Sequence, residues 1–182
     1  MSTAQAEVLF SSPKIEPVYL TADNAGSAGM VLMGAPHFCQ GEYEMAPDTQ
    51  LAVDILSDLL TGPLPPGISR GQVFPIGLTV KGQNGFIGLA HMMLGFPSET
   101  ELTIGLLVIA ESHQRKGFGK EFITGLYDWA RPQGIGFIRI NCHPRHKNAA
   151  AFLDKLGFAD LGTNLKSGHA VWTRKLPATE DD

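Results

Sequence analysis

The order strand, glycine-bearing basic loop, helix between residues 104 and 120 constrains this chain more than any other stretch. Leu106, Leu107, Val108 and Ile109 are apolar at every position, the pattern of a strand buried on both faces. The run stops at Glu111, and from Glu121 the apolar residues Phe122, Ile123, Leu126, Trp129 and Ala130 recur at helical spacing. A helix is therefore predicted to begin near Gly117. Gly117 and Gly119 let the backbone approach a ligand without an intervening Cβ, and the unpaired N–H groups of the helix start point toward it. Arg115, Lys116 and Lys120 add positive charge, so the predicted ligand is a phosphate or pyrophosphate.

Two other phosphate loops fail on the same residues. A Walker loop needs a glycine, four residues and then Gly-Lys-Ser/Thr, but Ser112 occupies the first place and Glu121 follows Lys120. A dinucleotide fingerprint needs a third glycine where Phe122 stands.

The rest of the chain reads as one domain, residues 1–182. Ile15 to Leu20 is a predicted first strand, and residues 21–41 are Gly-rich with one or two short helical pieces. Leu51, Ile55, Leu56, Leu59 and Leu60 form a helical stripe with Asp48-Thr49 as its N-cap and Gly62-Pro63 as its end. Residues 61–72 are a surface loop. Predicted strands at 73–81 and 86–96 are joined by Gly82-Gln83-Asn84-Gly85, a hairpin signal because Asn-Gly accepts positive φ. A strand at 100–109, two strand–helix units and a last strand near Ala170 to Leu176 complete the order. Residues 1–13 and 177–182 read as loose termini.

Composition excludes several classes. With 43% hydrophobic and 18% charged residues the chain has ample core for a globular domain, and no apolar stretch is long enough to span a bilayer. A net charge of −4 argues against a nucleic-acid surface. Cys39 and Cys142 are too few for a disulfide framework. Without a basic-then-apolar leader pattern at the N-terminus, the expected location is cytoplasmic.

The loop Gln114-Arg115-Lys116-Gly117-Phe118-Gly119 resembles the Gln/Arg-x-x-Gly-x-Gly/Ala loop of the GNAT acetyltransferase superfamily. Ile138-Arg139-Ile140-Asn141-Cys142-His143-Pro144, followed by Lys155-Leu156-Gly157-Phe158, is similar to that family's later strand–helix unit. The resemblance covers roughly residues 73 to 176. It implies an α/β (α+β) fold with a mixed, mostly antiparallel central sheet flanked by helices. It also implies acetyl-CoA as acyl donor, an amine acceptor, no metal, and a homodimer as candidate assembly. In that family the loop, here Gln114 to Lys120, grips pyrophosphate. The pantetheine arm would run beside Leu107, Val108 and Ile109, with Asn148 and Phe152 lining the cosubstrate. A backbone N–H near Val108 or Ile109 would stabilise the oxyanion. The donor's acyl group, acetyl or another, stays open.

For catalysis, strict alternation over 100–109 places Leu102, Ile104, Leu106 and Val108 on one face and Glu101, Thr103, Gly105 and Leu107 on the other. The resemblance makes Glu101 the candidate general base, although a gapless match puts Thr103 where one relative has its Glu. Leu153 stands where the family often has a proton-donating Tyr, and His146 where it has an Asn. His143 or the Cys142 thiol are the substitute proton donors. A non-catalytic acyl-CoA-binding module on the same fold is the alternative reading. Cys142, His143 and His146 have zinc-compatible chemistry, but their spacing does not complete a coordination shell.

Overall fold

The computed structural model describes residues 7–177. A seven-stranded sheet has the order β1-β2-β3-β4-β5-β7-β6, with β1 Ile15–Tyr19, β2 Val73–Val80, β3 Phe86–Leu94, β4 Glu101–Ile109, β5 Phe137–Cys142, β6 Ala159–Thr163 and β7 Ala170–Lys175. Every neighbouring pair is antiparallel except β4 and β5. The predicted mixed, mostly antiparallel sheet flanked by helices is therefore observed.

Helices α1 Ala25–Met33, α2 Pro36–Tyr43 and α3 Thr49–Thr61 cover one face, with Val31, Leu32, Ile55, Leu56 and Leu59 packed on Leu89 and Val108. Asp48 caps α3 as expected, its carboxylate accepting from Leu51 N at 2.7 Å. On the other face α4, Phe118–Ala130, sinks Phe122, Ile123, Leu126 and Ala130 against Ile76, Leu78, Leu102, Ile104 and Ile138. The last helix, α5 Lys147–Lys155, buries Leu153 on the same side. Removing such side chains from water is what holds the layers together, at about 1.5–3 kcal/mol each.

Four expectations change. Part of the N-terminal segment read as loose is packed: Leu9 is buried, Phe10 stacks on Phe122 with centroids 6.0 Å apart, and Ser12 donates to Glu121. Glu121 also accepts from Lys14 N at 2.6 Å and Ile15 N at 3.2 Å, so one carboxylate of α4 ties down the entry to β1. The remaining residues of both termini, 1–6 and 178–182, lie outside the described residues. In the hairpin it is Gly82 and Gly85, at φ 72° and 93°, that take positive φ, not Asn84. Strand β6 has no counterpart in the sequence reading, because all of its residues are exposed and no alternation marks it.

The fourth change concerns β4. Opposite β3 the register runs His91↔Leu106 and then Met92↔Ile104, leaving Gly105 as the extra residue of a β-bulge. Alternation therefore resets: Leu102 and Ile104 belong to the α4 core, Leu106 and Val108 to the α1–α3 core, and Leu107 and Ile109 pack again toward α4. The single-face row Leu102, Ile104, Leu106, Val108 does not exist.

Candidate functional site

The site begins where the sheet opens. β4 and β5 pair in parallel from Glu101↔Phe137 to Ile104↔Ile140 and no further. Beyond the bulge, residues 105–109 keep β3 on one side and, among the described residues, have no strand on the other, so alternate peptide groups of Leu107, Val108 and Ile109 face an open edge. A polar, amide-bearing chain laid there would find the partners that β5 supplies lower down.

This edge leads into the basic loop. After Ile109 the chain makes a 3-10 turn at Glu111–His113 and then α4, whose N-cap is Gly117 at φ 86°. Arg115 also has positive φ, 61°, so two left-handed residues curl the backbone into a concave turn. The first intrahelical bond of α4 runs from Glu121 N to Gly117 O at 3.0 Å, and among the described residues no side chain caps the helix start. A Cβ at Gly117 would meet nothing within 4 Å, so the space before these amides is open. Gly119 differs, because a Cβ there would lie 3.3 Å from Phe152 Cζ and 3.4 Å from Ile109 Cδ1. Its smallness lets α4 close onto Phe152 and the end of β4.

The sequence-predicted loop residues divide accordingly. Arg115, Lys116 and Lys120 are exposed and form no ion pair among the described residues. Gln114, also exposed, turns back on the strand, its Nε2 donating to Ile109 O at 2.8 Å, which fastens the loop to β4. Phe118 is half-buried, its ring centroid 6.5 Å from that of His113. Phe152 is brought to the loop through Gly119, and Asn148, one helical turn earlier on α5, is exposed.

The candidate base lies elsewhere. Glu101 begins β4, four residues before the bulge and about 13 Å from it along the strand. Its Oε2 accepts from Arg139 Nε at 2.8 Å and its Oε1 from Ser98 Oγ at 3.0 Å. The carboxylate is thus engaged in joining β4 to β5, away from the open edge. Thr103 is fully buried and donates to Phe96 O at 2.6 Å.

At the far lip of the opening, the turn after β5 gathers three imidazoles. His143 has its ring centroid 5.3 Å from His169 and 6.0 Å from His146. Arg145 N donates to His143 Nδ1 at 3.2 Å, which places the proton of the neutral ring on Nε2. Glu42 of α2 accepts from His169 at 2.7 Å and lies 3.3 Å from His146 Nε2, joining α2 to both turns. Cys142 is buried beside them; burial, then the charge of Glu42, pushes its thiol up to about 11. It stays protonated and is a poor nucleophile at neutral pH. Leu153 is 2% exposed and belongs to the core, so the family's usual Tyr position offers no proton. Among the described residues no group of three or more His, Cys, Asp or Glu is arranged to hold a metal.

One residue near the bulge carried no sequence signal. His91 sits in the apolar run of β3, directly opposite Leu106, and resembles a core position in an otherwise buried strand. It is half-buried on the α1–α3 side, and a Cβ on Gly105 would lie 3.9 Å from its Nδ1.

Comparison with known proteins agrees with this geometry. The family model described as acetyltransferase (GNAT) family matches residues 69–158. An acetyltransferase from Thermus thermophilus superposes with TM-score 0.71 at 20% identity, over 92% of this chain and 100% of that one. A Salmonella typhimurium acetyl transferase that modifies the N-terminal serine of ribosomal protein L7/L12 gives 0.72 at 16%, over 94% and 100%. An N-acetyltransferase from Thermoplasma acidophilum in complex with coenzyme A gives 0.64 at 12%, over 88% and 98%. At these identities the likeness is one of fold. No curated protein sequence matches the chain.

Proposed function

We propose that this chain, which belongs to the GNAT superfamily through the core at residues 69–158, is an acetyl-CoA-dependent N-acetyltransferase acting on a primary amine of a small molecule or protein. The observation that carries the reading is the spacing along β4 between the cradle and the bulge. From pyrophosphate oxygen to sulfur, the pantetheine arm has the reach of about four extended residues, roughly 14 Å. Ile109 to Gly105 spans about 13 Å of strand. A donor whose phosphates rest on the amides of α4 therefore brings its sulfur to the place where β5 closes the edge.

In this reading Arg115, Lys116, Lys120 and the amides from Gly117 to Gly119 hold the phosphates. The open edge at Leu107, Val108 and Ile109 pairs with the arm's two amides, while Phe152 and Asn148 line it. A backbone N–H of the open edge, at Val108 or Ile109 as the resemblance implies, stabilises the carbonyl oxygen as it becomes an oxyanion. His143, expected from the sequence to be a proton donor, is assigned to stabilising the leaving thiolate by a hydrogen bond from its Nε2–H, since its Nδ1 accepts from Arg145 N. Glu101 is assigned to holding β4 on β5. Solved complexes of the same fold with coenzyme A, or with acetyl-CoA and AMP, support the choice of donor. A cytoplasmic location and a homodimer belong to the same proposal; no helix among the described residues is long and apolar enough to cross a membrane.

The burial of Leu153 favours one other reading, a module that binds acyl-CoA without transferring the acyl group. Calorimetric titration with acetyl-CoA, CoA and ATP tests the cradle, and transfer of labelled acetyl from acetyl-CoA to an amine separates enzyme from module. Saturable binding of both CoA species with ATP inert is expected. Binding of neither refutes both readings.

A further inference from the structure

The bulge that opens β4 also brings an imidazole to the point where the sheet parts. His91 and Leu106 are cross-strand partners, so both side chains leave the sheet on the α1–α3 side, and the missing Cβ of Gly105 leaves the His91 ring facing the bulge. A Cβ at 105 would come into ordinary contact with His91 Nδ1, at 3.9 Å. Among the described hydrogen bonds none occupies either ring nitrogen of His91. The phosphate cradle and α4 lie on the opposite face. An amine that reaches the end of the donor arm from the α1–α3 side therefore arrives beside this ring.

We propose that His91 is the general base of the transfer reaction, an assignment that rests on the acetyltransferase reading above. The amine nitrogen forms the C–N bond with its lone pair while His91 accepts the proton it sheds. The C–S bond breaks with its electron pair on sulfur, and the proton returns from the imidazolium, through water, to the thiolate. No oxidant or further reactant is required.

The surroundings suit a base. Burial, the largest influence, lowers His91 below the ordinary histidine value; Asp58 at the end of α3 raises it and Arg70, in the 3-10 turn before β2, lowers it. The net direction leaves the ring neutral at pH 7, able to take a proton. Tyr43 of α2 also feels Asp58, and its hydroxyl is pushed up to about 12, chiefly by burial, so it remains protonated and does not compete.

The test uses the full chain, acetyl-CoA, and spermidine or a synthetic peptide with a free N-terminal serine as acceptor. His91→Gln is expected to keep wild-type acetyl-CoA affinity by calorimetry, lose about 100-fold or more in kcat, and lose the acid limb of the pH–rate profile. Equal rates, or an acid limb that survives the substitution, overturn the assignment. If the variant does not fold, the wild type decides by NMR. The His91 Cε1–H resonance should titrate with the midpoint of the kinetic acid limb. It should also shift with acetyl-CoA but not with 3′,5′-ADP, which carries phosphates without the arm. Acetyl-CoA binding that leaves this resonance unmoved overturns the assignment alone. Failure of acetyl-CoA to bind removes the acetyltransferase reading itself.

Discussion

Replacing Glu101 by Gln separates a fold-holding carboxylate from a catalytic one. Glu101 and Arg139 have side chains only 16% and 24% exposed and meet at 2.8 Å, so the pair is partly desolvated and worth more than an exposed one. Gln keeps an acceptor for Ser98 or Arg139 but removes the charge, leaving the guanidinium half-buried without its counter-ion. A charge-assisted hydrogen bond of this kind contributes about 1.5 kcal/mol net. The unfolding entropy of a 182-residue chain is on the order of 0.4 kcal/mol per kelvin, so Tm should fall by about 4 °C. Acetyl transfer, measured at 25 °C as CoA release with saturating donor, should stay within about 3-fold of wild type. A kcat loss of 100-fold or more with Tm unchanged would mean that Glu101 takes the substrate proton. That result would refute the argument that its ion pair and its distance from the bulge disqualify it.

Other perturbations probe the cradle and its supports. Arg115→Glu with Lys116→Glu reverses two exposed charges that form no ion pair among the described residues, so acetyl-CoA affinity by calorimetry should drop at least 10-fold with Tm nearly constant; unchanged affinity contradicts the loop's role. Gly117→Ala forces a Cβ into φ 86° and should cost about 1 kcal/mol of stability, read by urea unfolding, with weaker acetyl-CoA binding. Burial raises the Glu121 carboxyl, but hydrogen bonds from Ser12, Lys14 N and Ile15 N outweigh it and the net shift is downward. Glu121 therefore stabilises the fold above its ordinary value of 4.5, and that contribution disappears as pH falls below it. Glu121→Gln should lose about 1–2 kcal/mol at pH 7 and less at pH 3. Cys142, buried and with its thiol near 11, should resist iodoacetamide at pH 7.5 in the native state and react on unfolding.

Much of this architecture was legible because the informative residues are local. The apolar run into Gly117, the stripe of α4 and the Asp48 cap each specify an element within one or two turns of chain. Gly105 was not, because a pattern of period two has no way to display an extra residue, and the bulge exists only in relation to β3. Its effect reaches the open edge: the faces assigned to Leu106, Leu107 and Val108 are exchanged. His91 carried no signal for the converse reason, since a histidine among Leu89, Ala90 and Met92 reads as strand interior, and its place opposite the β-bulge shows only once β3 and β4 are paired. The short helices before β2 had weak signals because α1 is apolar nearly all round and α2 buries only Cys39 fully.

The hydrogen bonds of Glu121 have a consequence for how the chain comes together. Lys14 and Glu121 are 107 positions apart, and β1 pairs with β2, which starts only at Val73. During synthesis residues 9–15 are without these partners until β2 and α4 have followed, so this segment is among the last to dock. Because it docks on Glu121 in the first turn of α4, a ligand bound at that helix start would be coupled to the segment to the extent that it favours the docked arrangement. Protection of residues 9–15 from proteolysis by acetyl-CoA would report that coupling directly.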